Sequence, residues 1–263
     1  APTNTPKPAA PPVPTGMMSP DFGAQAFLWW RSEVADRDLT LMSNGGFRWV
    51  KQWFAWNDIE GAGKGQYDWS IPDRIVQQAE DKGLKLLVRM DREPGWAGPP
   101  PQNTDDYVDF LSAAATRYKG RIAAYQIWNE PNLAREWGNK PPNPAEYTAM
   151  LKASYDAIKA ADPNAIVLTA GMAPTTETSE RAMFDLDFYR GMYEAMGSGG
   201  STGYFDMLGV HGAGFKAPPE KDPGEVANDP AFYNVGDPYC PGERCRVYSF
   251  RHIEDVRQIM VDN

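Results

Sequence analysis

Cysteine and histidine are scarce in this sequence of 263 residues, which contains two of each. Two cysteines cannot build a tetrahedral zinc site alone, and two histidines far apart in sequence do not complete one. Cys240 and Cys245 enclose a Pro-Gly turn, a pattern that favours a small disulfide and an oxidising compartment. We therefore expect no metal and no other cofactor.

Basic residues and long apolar runs are also in short supply. The sequence has 26 Lys and Arg against 35 Asp and Glu, giving a formal net charge of −9. This balance argues against a nucleic-acid partner and against binding to an acidic membrane surface. No apolar run reaches the roughly 18 residues that a membrane-spanning helix needs.

Proline, in contrast, is concentrated at the start of the chain, with seven in residues 1–20. This composition predicts a disordered linker of the kind that joins exported enzymes to a membrane anchor or another module. We therefore expect an extracellular or cell-surface protein.

Strand and helix patterns alternate through residues 21–263. The predicted strands are 22–29, 47–56, 84–90, 121–127, 165–171 and 205–211. The predicted helices are about 34–44, 70–82, 104–118, 143–161, 184–196 and 250 onwards. This alternation is typical of the α/β class and of a TIM (β/α)8 barrel, with about six of the eight strand–helix units present.

Such a sheet would have two open edges, which is an aggregation hazard. We therefore expect residues 21–263 to be about three quarters of a barrel, with strands seven and eight supplied in cis or by another chain. A long loop, about 212–248, precedes the last helix and carries both cysteines.

The fourth strand ends in the stretch Ile127 to Asn132, which reads Ile-Trp-Asn-Glu-Pro-Asn. Pro131 has no N–H and cannot extend a central strand, so the chain leaves the sheet there. Asn129 and Glu130 are thereby placed at the carboxyl tip of the strand, where barrels build their active sites. Glu130 is placed for proton transfer, and Asn129 for holding a substrate hydroxyl.

This tip, Trp128 to Asn132, resembles the strand-four signature of the retaining glycoside hydrolases of the large barrel clan that includes cellulases, mannanases and β-xylosidases. A second element, Ile59-Glu60 followed by Gly65-Gln66-Tyr67-Asp68, resembles one that members of the clan carry after strand two, where its role is mostly structural.

The resemblance implies a retaining glycosidase acting on a β-linked polysaccharide, oligosaccharide or glycoside. Glu130 would be the general acid/base, and Asn129 would bind the sugar 2-hydroxyl. The second catalytic carboxylate of the clan is a Glu at the tip of strand seven, which we expect beyond Asn263. Retention needs two carboxyl groups about 5–5.5 Å apart.

Other candidate sugar contacts lie at or near the predicted strand tips. The expected substrate-binding residues, besides Asn129, are Lys51, Trp53, Asp91, Glu93, Trp96, Trp137 and His211. Trp96 and Trp137 are expected to be flat platforms for sugar rings. Either Asp91 or Glu93 could also serve as the catalytic partner of Glu130. Asp206 lies about five residues below the tip of strand six and is excluded, and His252 is expected at the surface.

A non-catalytic carbohydrate-binding barrel is the alternative to hydrolysis, because the sequence lacks a clear second carboxylate. An aldolase-type barrel has little support, since no lysine ends a strand in an obviously apolar pocket and no glycine-rich phosphate-binding turn follows a strand.

Overall fold

A computed structural model describes residues 21–100 and 102–263. The predicted linker, residues 1–20, lies outside the described residues. The centre of the fold is a parallel five-stranded sheet in the order β1-β2-β3-β4-β5. The strands are β1 Gly23–Gln25, β2 Trp49–Ala55, β3 Lys85–Asp91, β4 Ile122–Ile127 and β5 Ile166–Leu168.

Helices follow the strands and cover one face of the sheet. They are α1 Ser32–Asn44, α2 Trp56–Ile59, α3 Ser70–Asp81, α4 Thr104–Arg117, α5 Pro144–Ala161, α6 Asp185–Met196, α7 Pro223–Asn228 and α8 Ile253–Asp262. Short 3-10 segments lie at Ala134–Glu136, Gly197–Gly199, Glu243–Tyr248 and Phe250–His252. None of the helices in the described ranges combines the length and hydropathy needed to cross a bilayer.

The alternation of buried residues along the strands explains how the two layers meet. Val50, Phe54, Leu86, Val88 and Met90 are at most 1% exposed and form part of the core between sheet and helices. Alternate residues on the same strands are only partly buried and face the inside of the curved sheet. This is the layer arrangement of a (β/α)8 barrel, so the predicted fold class is confirmed.

The position of a sixth strand is occupied, but the predicted strand 205–211 is reduced to one parallel bridge between Leu168 and Met207. Side chains take the place of the missing ladder bonds. The Asp206 carboxylate accepts a hydrogen bond from Val167 N at 2.8 Å, and the Thr169 hydroxyl accepts one from Gly209 N at 2.8 Å. Asp206 also pairs with Lys159 at 2.7 Å, which agrees with its exclusion from catalysis.

Helix α5 begins as the sequence predicts. The Asn143 side chain accepts hydrogen bonds from Ala145 N at 3.0 Å and Glu146 N at 3.2 Å, and Pro144 occupies the first turn. This cap fixes the start of the helix that follows the strand-four tip.

Three buried tyrosines, one each on α4, α5 and α6, bind backbone atoms at the carboxyl ends of the strands. We call these contacts the tyrosine bridges. The Tyr107 hydroxyl donates a hydrogen bond to Met90 O (2.6 Å). The Tyr147 hydroxyl donates one to Ile127 O (2.9 Å), and the Tyr189 hydroxyl donates one to Gly209 O (2.8 Å). The last two hydroxyls also accept bonds, from Ala170 N (2.6 Å) and Met172 N (3.1 Å). The bridges thus set the height of successive strand ends relative to the helices.

The loop before the last helix contains α7 and the Glu243–Tyr248 segment. Cys240 and Cys245 are joined there by a disulfide, and Cys245 packs with Ala227 and Tyr233 in a small second hydrophobic cluster. Much of this long loop is therefore ordered by its own contacts.

Candidate active site

The backbone turns sharply where β4 ends. Trp128 has φ = +69°, a left-handed conformation that is a genuine outlier for a bulky residue. Its N–H still donates to Met90 O at 3.0 Å, while its indole N–H donates to Glu136 O at 2.6 Å. The ring is 2% exposed and packs edge-on against Tyr107 and Trp137. The indole is therefore in the core, and the next residues leave the sheet at its carboxyl edge.

Glu130 lies at this edge and is brought together with His211. Its Oε1 atom is 2.8 Å from His211 Nδ1, and its side chain is 19% exposed. The other oxygen, Oε2, is 3.8 Å from the Arg135 guanidinium. When Glu130 is ionised, the hydrogen bond requires the proton of His211 to be on Nδ1.

A glycine makes the histidine contact feasible. A Cβ atom at Gly171 would lie 2.4 Å from His211 Cδ2, so the ring packs directly on the backbone after β5. Any side chain at this position would displace the ring from Glu130.

Asn129 is held by a neighbouring strand. Arg89 Nη1 donates to Asn129 Oδ1 at 3.1 Å. Arg89 Nε lies 2.9 Å from Asp91 Oδ2, in an ion pair that is not aligned as a hydrogen bond. Asp91 also accepts a hydrogen bond from the Trp53 indole N–H. The register of β2 and β3 pairs Trp53 with Arg89, which explains why these side chains meet.

Burial shifts the pKa values of three ionisable groups here. It raises the pKa of Asp91, which is 4% exposed, to about 6, although Arg89 opposes the shift. It lowers the pKa of Lys51 to about 8, assisted by the charge of Arg89 and opposed by Asp91 and Glu130. It also raises the pKa of Glu93. Such clustered shifts are typical of functional sites.

Asp91 and Glu93, but not Lys51, line a pocket of about 310 Å³, at the lower end of the range for small-molecule sites. Its lining residues are Trp53, Arg89, Asp91, Arg92, Glu93, Trp128, Asn129, Arg135 and Glu136. Four predicted site residues are therefore brought to one cavity, beside Glu130. Across the described ranges, no group of three or more His, Cys, Asp or Glu side chains is arranged to hold a metal ion.

The two tryptophans predicted to stack on sugar rings, Trp137 and Trp96, both pack against other aromatic side chains of the protein. Trp137 is 0% exposed and packs edge-on against Trp128 and Tyr147, so the prediction that it stacks on a sugar is wrong. Trp96 packs edge-on against buried Trp56, and its indole N–H donates to Glu60 O at 2.7 Å. It does not line the pocket.

The sequence interpretation missed the pocket arginines. Arg89 could have been found, because it shares the inward parity of Trp53 on the adjacent strand. Arg92 lies after the end of β3 and Arg135 in the short 3-10 segment Ala134–Glu136, where no alternating pattern points to the pocket. It also missed an aromatic pair after β1, in which Phe27 (51% exposed) and Trp30 (80% exposed) meet edge-on at 4.8 Å.

His252, expected at the surface, is instead 4% exposed. Its ring nitrogens lie 2.9 Å from Asp185 and 2.9 Å from Asp255. Burial opposes protonation, but the two hydrogen-bonded carboxylates raise the pKa of His252 to about 9. This cluster fixes α8 to α6 and is separate from the pocket.

Comparison with known proteins gives a consistent result. The model of the family described as "Cellulase (glycosyl hydrolase family 5)" matches residues 12–202. The "Beta-xylosidase" of Geobacillus stearothermophilus is 25% identical over a match that covers 51% of this chain and 32% of the relative. The chain thus spans about a third of the length of that curated relative.

Two solved structures share the fold. A family 39 glycoside hydrolase from Bacteroides cellulosilyticus WH2 has a TM-score of 0.54 at 17% identity, covering 72% of this chain and 37% of that chain. A GH10 endoxylanase from a sugarcane soil metagenome has a TM-score of 0.51 at 16% identity, covering 72% and 56%. At these identities the likeness shows the barrel fold.

Proposed function

The chain belongs to the cellulase family, glycosyl hydrolase family 5, and from this membership we propose that it carries a retaining glycosidase site for β-linked polysaccharides, oligosaccharides or glycosides. Glu130 is assigned as general acid/base and Asn129 as the contact to the sugar 2-hydroxyl. The observation that carries the proposal is the Glu130 carboxyl, held 2.8 Å from His211 at the sheet's carboxyl edge beside the pocket.

In the first step, Glu130 donates a proton to the leaving glycosidic oxygen while a carboxylate attacks the anomeric carbon. In the second step, Glu130 takes a proton from water, which attacks the glycosyl-enzyme and releases the sugar with its configuration retained. Because His211 engages Oε1, Oε2 is the oxygen that carries the proton in both steps.

The nucleophile is proposed to be a Glu on a seventh strand outside this sequence. Asp91 is a poor substitute, because it is 4% exposed and already engaged by Arg89 and Trp53. Within the described part of the chain, the side chains in polar contact with the Glu130 carboxyl are His211 and Arg135. Because none of the described carboxylates is assigned as the nucleophile, carbohydrate binding without hydrolysis is the second candidate function.

Substitution of Glu130 separates these functions. In the protein with its proposed seventh strand, we expect Glu130→Gln to lower the turnover of β-linked disaccharides by roughly 10²–10⁴, because the proton donor to their poor leaving group is lost. Binding of a non-hydrolysable sugar should remain. Glu194→Gln, at an exposed position on α6, is the matched control and should behave as wild type.

Two outcomes would decide against parts of the proposal. Unchanged turnover in Glu130→Gln would contradict the acid/base assignment. Sugar binding by the wild type with no hydrolysis of any glycoside would favour the carbohydrate-binding barrel.

We also propose that the protein works outside the cytoplasm, as the Cys240–Cys245 disulfide supports. Thiol titration of the denatured protein from its natural source should find no free thiol; two free thiols would contradict export.

A further inference from the structure

The pocket beside Glu130 is rich in arginine. Arg89, Arg92 and Arg135 are three of its nine lining residues, in a chain whose formal net charge is −9. The planar guanidinium group matches carboxylate and other oxyanion groups through paired, charge-assisted hydrogen bonds. What the pocket binds therefore depends on which arginines are free.

Arg89 is engaged within the protein. It pairs with Asp91 at 2.9 Å and donates to Asn129 at 3.1 Å, and its guanidinium lies 5.3 Å from the Trp53 ring centroid. Its role is to position its neighbours, and we do not count it as a ligand-binding group.

Arg92 is presented to the pocket without a partner acid. It is exposed, and in the described ranges its guanidinium forms no ion pair but lies over the Trp53 ring, 4.7 Å from the centroid. Its backbone has φ = +67°, a strained conformation for a residue other than glycine. Strain of this kind persists where the surrounding structure imposes it, often at binding sites.

Arg135 is similarly available. Its side chain is 73% exposed, and its distances to Glu130 (3.8 Å) and Glu136 (4.0 Å) are too long for hydrogen bonds. Arg92 and Arg135 therefore both have unused donors at the same cavity.

The three acidic residues of the pocket lining equal the three arginines in number, so what matters is which of them are paired. Asp91 is paired with Arg89. Glu93 is half-buried, and burial raises its pKa. Glu136 has its nearest cation at 4.0 Å. The Arg92 guanidinium, which forms no ion pair in the described ranges, and the loosely paired Arg135 guanidinium are therefore the groups with donors left for a ligand.

We propose that the substrate carries a negatively charged group, either a uronic acid carboxylate or a sugar sulfate, and that Arg92 and Arg135 bind it next to Glu130. The inference rests on the proposed function, because it takes this pocket as the glycoside site. The hydroxyl groups of a neutral sugar can accept single hydrogen bonds from these guanidinium groups, whereas an oxyanion accepts paired, charge-assisted ones, which are stronger.

Binding to matched glycosides tests the proposal by calorimetry on the purified chain. The probes are methyl β-glucoside and methyl β-galactoside, each compared with the corresponding uronide and with its 6-sulfate. We expect a charged member to bind roughly tenfold or more tightly than its neutral counterpart. Arg92→Gln and Arg135→Gln should each reduce this preference, whereas Arg37→Gln, at an exposed position on α1, should preserve it.

The outcomes are distinguishable from failure of the hydrolase assignment. Equal binding of neutral and charged probes overturns the anionic-substrate proposal and leaves the Glu130→Gln result unaffected. An equal loss of preference in Arg37→Gln also overturns it, since the preference would then not arise in the pocket. Binding of no probe overturns both proposals. Which charged probe binds more tightly identifies the carboxylate or the sulfate as the recognised group.

Discussion

A single backbone torsion orients the strand-four tip. With φ = +69°, Trp128 places its indole in the core beside Tyr107, and Asn129 and Glu130 then follow at the mouth. Two contacts from other units complete the arrangement, one from Arg89 on the adjacent strand β3 to Asn129 and one from His211 in the sixth unit to Glu130. At the scale of residues, the site is therefore defined by contacts between units that are separate in sequence.

The packing of His211 on Gly171 gives a prediction at this scale. Gly171→Ala would place a Cβ 2.4 Å from the imidazole and displace it from Glu130. We expect the turnover of Gly171→Ala to fall about as far as that of His211→Ala. The double variant should be no worse than either single variant, because both remove the same contact. Steady-state kinetics of the three variants measures this; additive losses would show that the two residues act separately.

Whether the sequence predicts a residue's position depends on whether the groups that it contacts are near or far in the sequence. Glu130 and Asn129 were predictable, because a proline-terminated buried strand fixes its own tip. The burial of Trp137 was not, since the Ala134–Glu136 segment folds the chain back toward the core. His252 was mistaken for a surface residue because its partner Asp185 is 67 positions away in the sequence.

At the scale of elements, the tyrosine bridges connect each helix to the strand ends near the site. Tyr147 satisfies two buried backbone groups, Ile127 O and Ala170 N. Tyr125, on β4, is equally buried, but its hydroxyl has no hydrogen-bond partner within the described ranges. The two residues therefore form a natural pair for comparison.

We expect Tyr147→Phe to lower the free energy of unfolding by about 1–3 kcal/mol, the usual cost of leaving buried polar groups unpaired. Tyr125→Phe removes an unsatisfied hydroxyl and should be neutral or stabilising. Urea denaturation of both variants provides the measurement. Equal destabilisation by the two substitutions would mean that the bridge hydroxyl contributes nothing of its own.

Helix α8 is attached by a contact whose strength depends on pH. The folded-state pKa of His252 is about 9, above its ordinary value of 6.5, so its charge stabilises the folded state. This contribution is fully present below about pH 6.5 and is lost as the pH rises through about 9. The shift corresponds to at most about 3 kcal/mol.

Comparison of wild type with His252→Gln tests this contact. The wild-type advantage in unfolding free energy should be largest near pH 6 and should shrink toward pH 10. A difference that stays constant across this range would falsify the proposed charge effect.

The elements themselves were largely predictable, because strand and helix periodicities are local. Two exceptions are helix α7, Pro223–Asn228, which lies within the predicted loop 212–248, and the sixth strand, where Asp206 and Thr169 side chains bind the backbone in place of a regular ladder. Its apolar pattern, 205–211, indicates a strand, but nothing in that pattern shows which groups the backbone will bind.

At the scale of the whole molecule, apolar surface remains exposed beside the short edge strand β1. Phe22 is 73% exposed, Phe27 51% and Trp30 80%. Exposed aromatic groups next to a sheet edge favour association with another surface. We expect the chain to self-associate in a concentration-dependent manner.

The double substitution Phe27→Ser and Trp30→Ser should weaken this association. Sedimentation velocity over a hundredfold range of protein concentration provides the measurement, with the exposed substitution Leu41→Ser on α1 as control. A wild-type chain that stays monomeric throughout would contradict the prediction.

The tyrosine bridges also limit how this barrel can be recombined. Each bridging hydroxyl lies on one unit, and two of the three bind backbone belonging to two consecutive units. If a chimera changed from one protein to the other between β4 and the chain after β5, the bridging tyrosine would come from one parent and part of the backbone that it binds from the other. Chimeras with related barrels should therefore exchange residues 85–209 as one block, with one junction before β3 and the other after Gly209, so that none of the described bridges is divided.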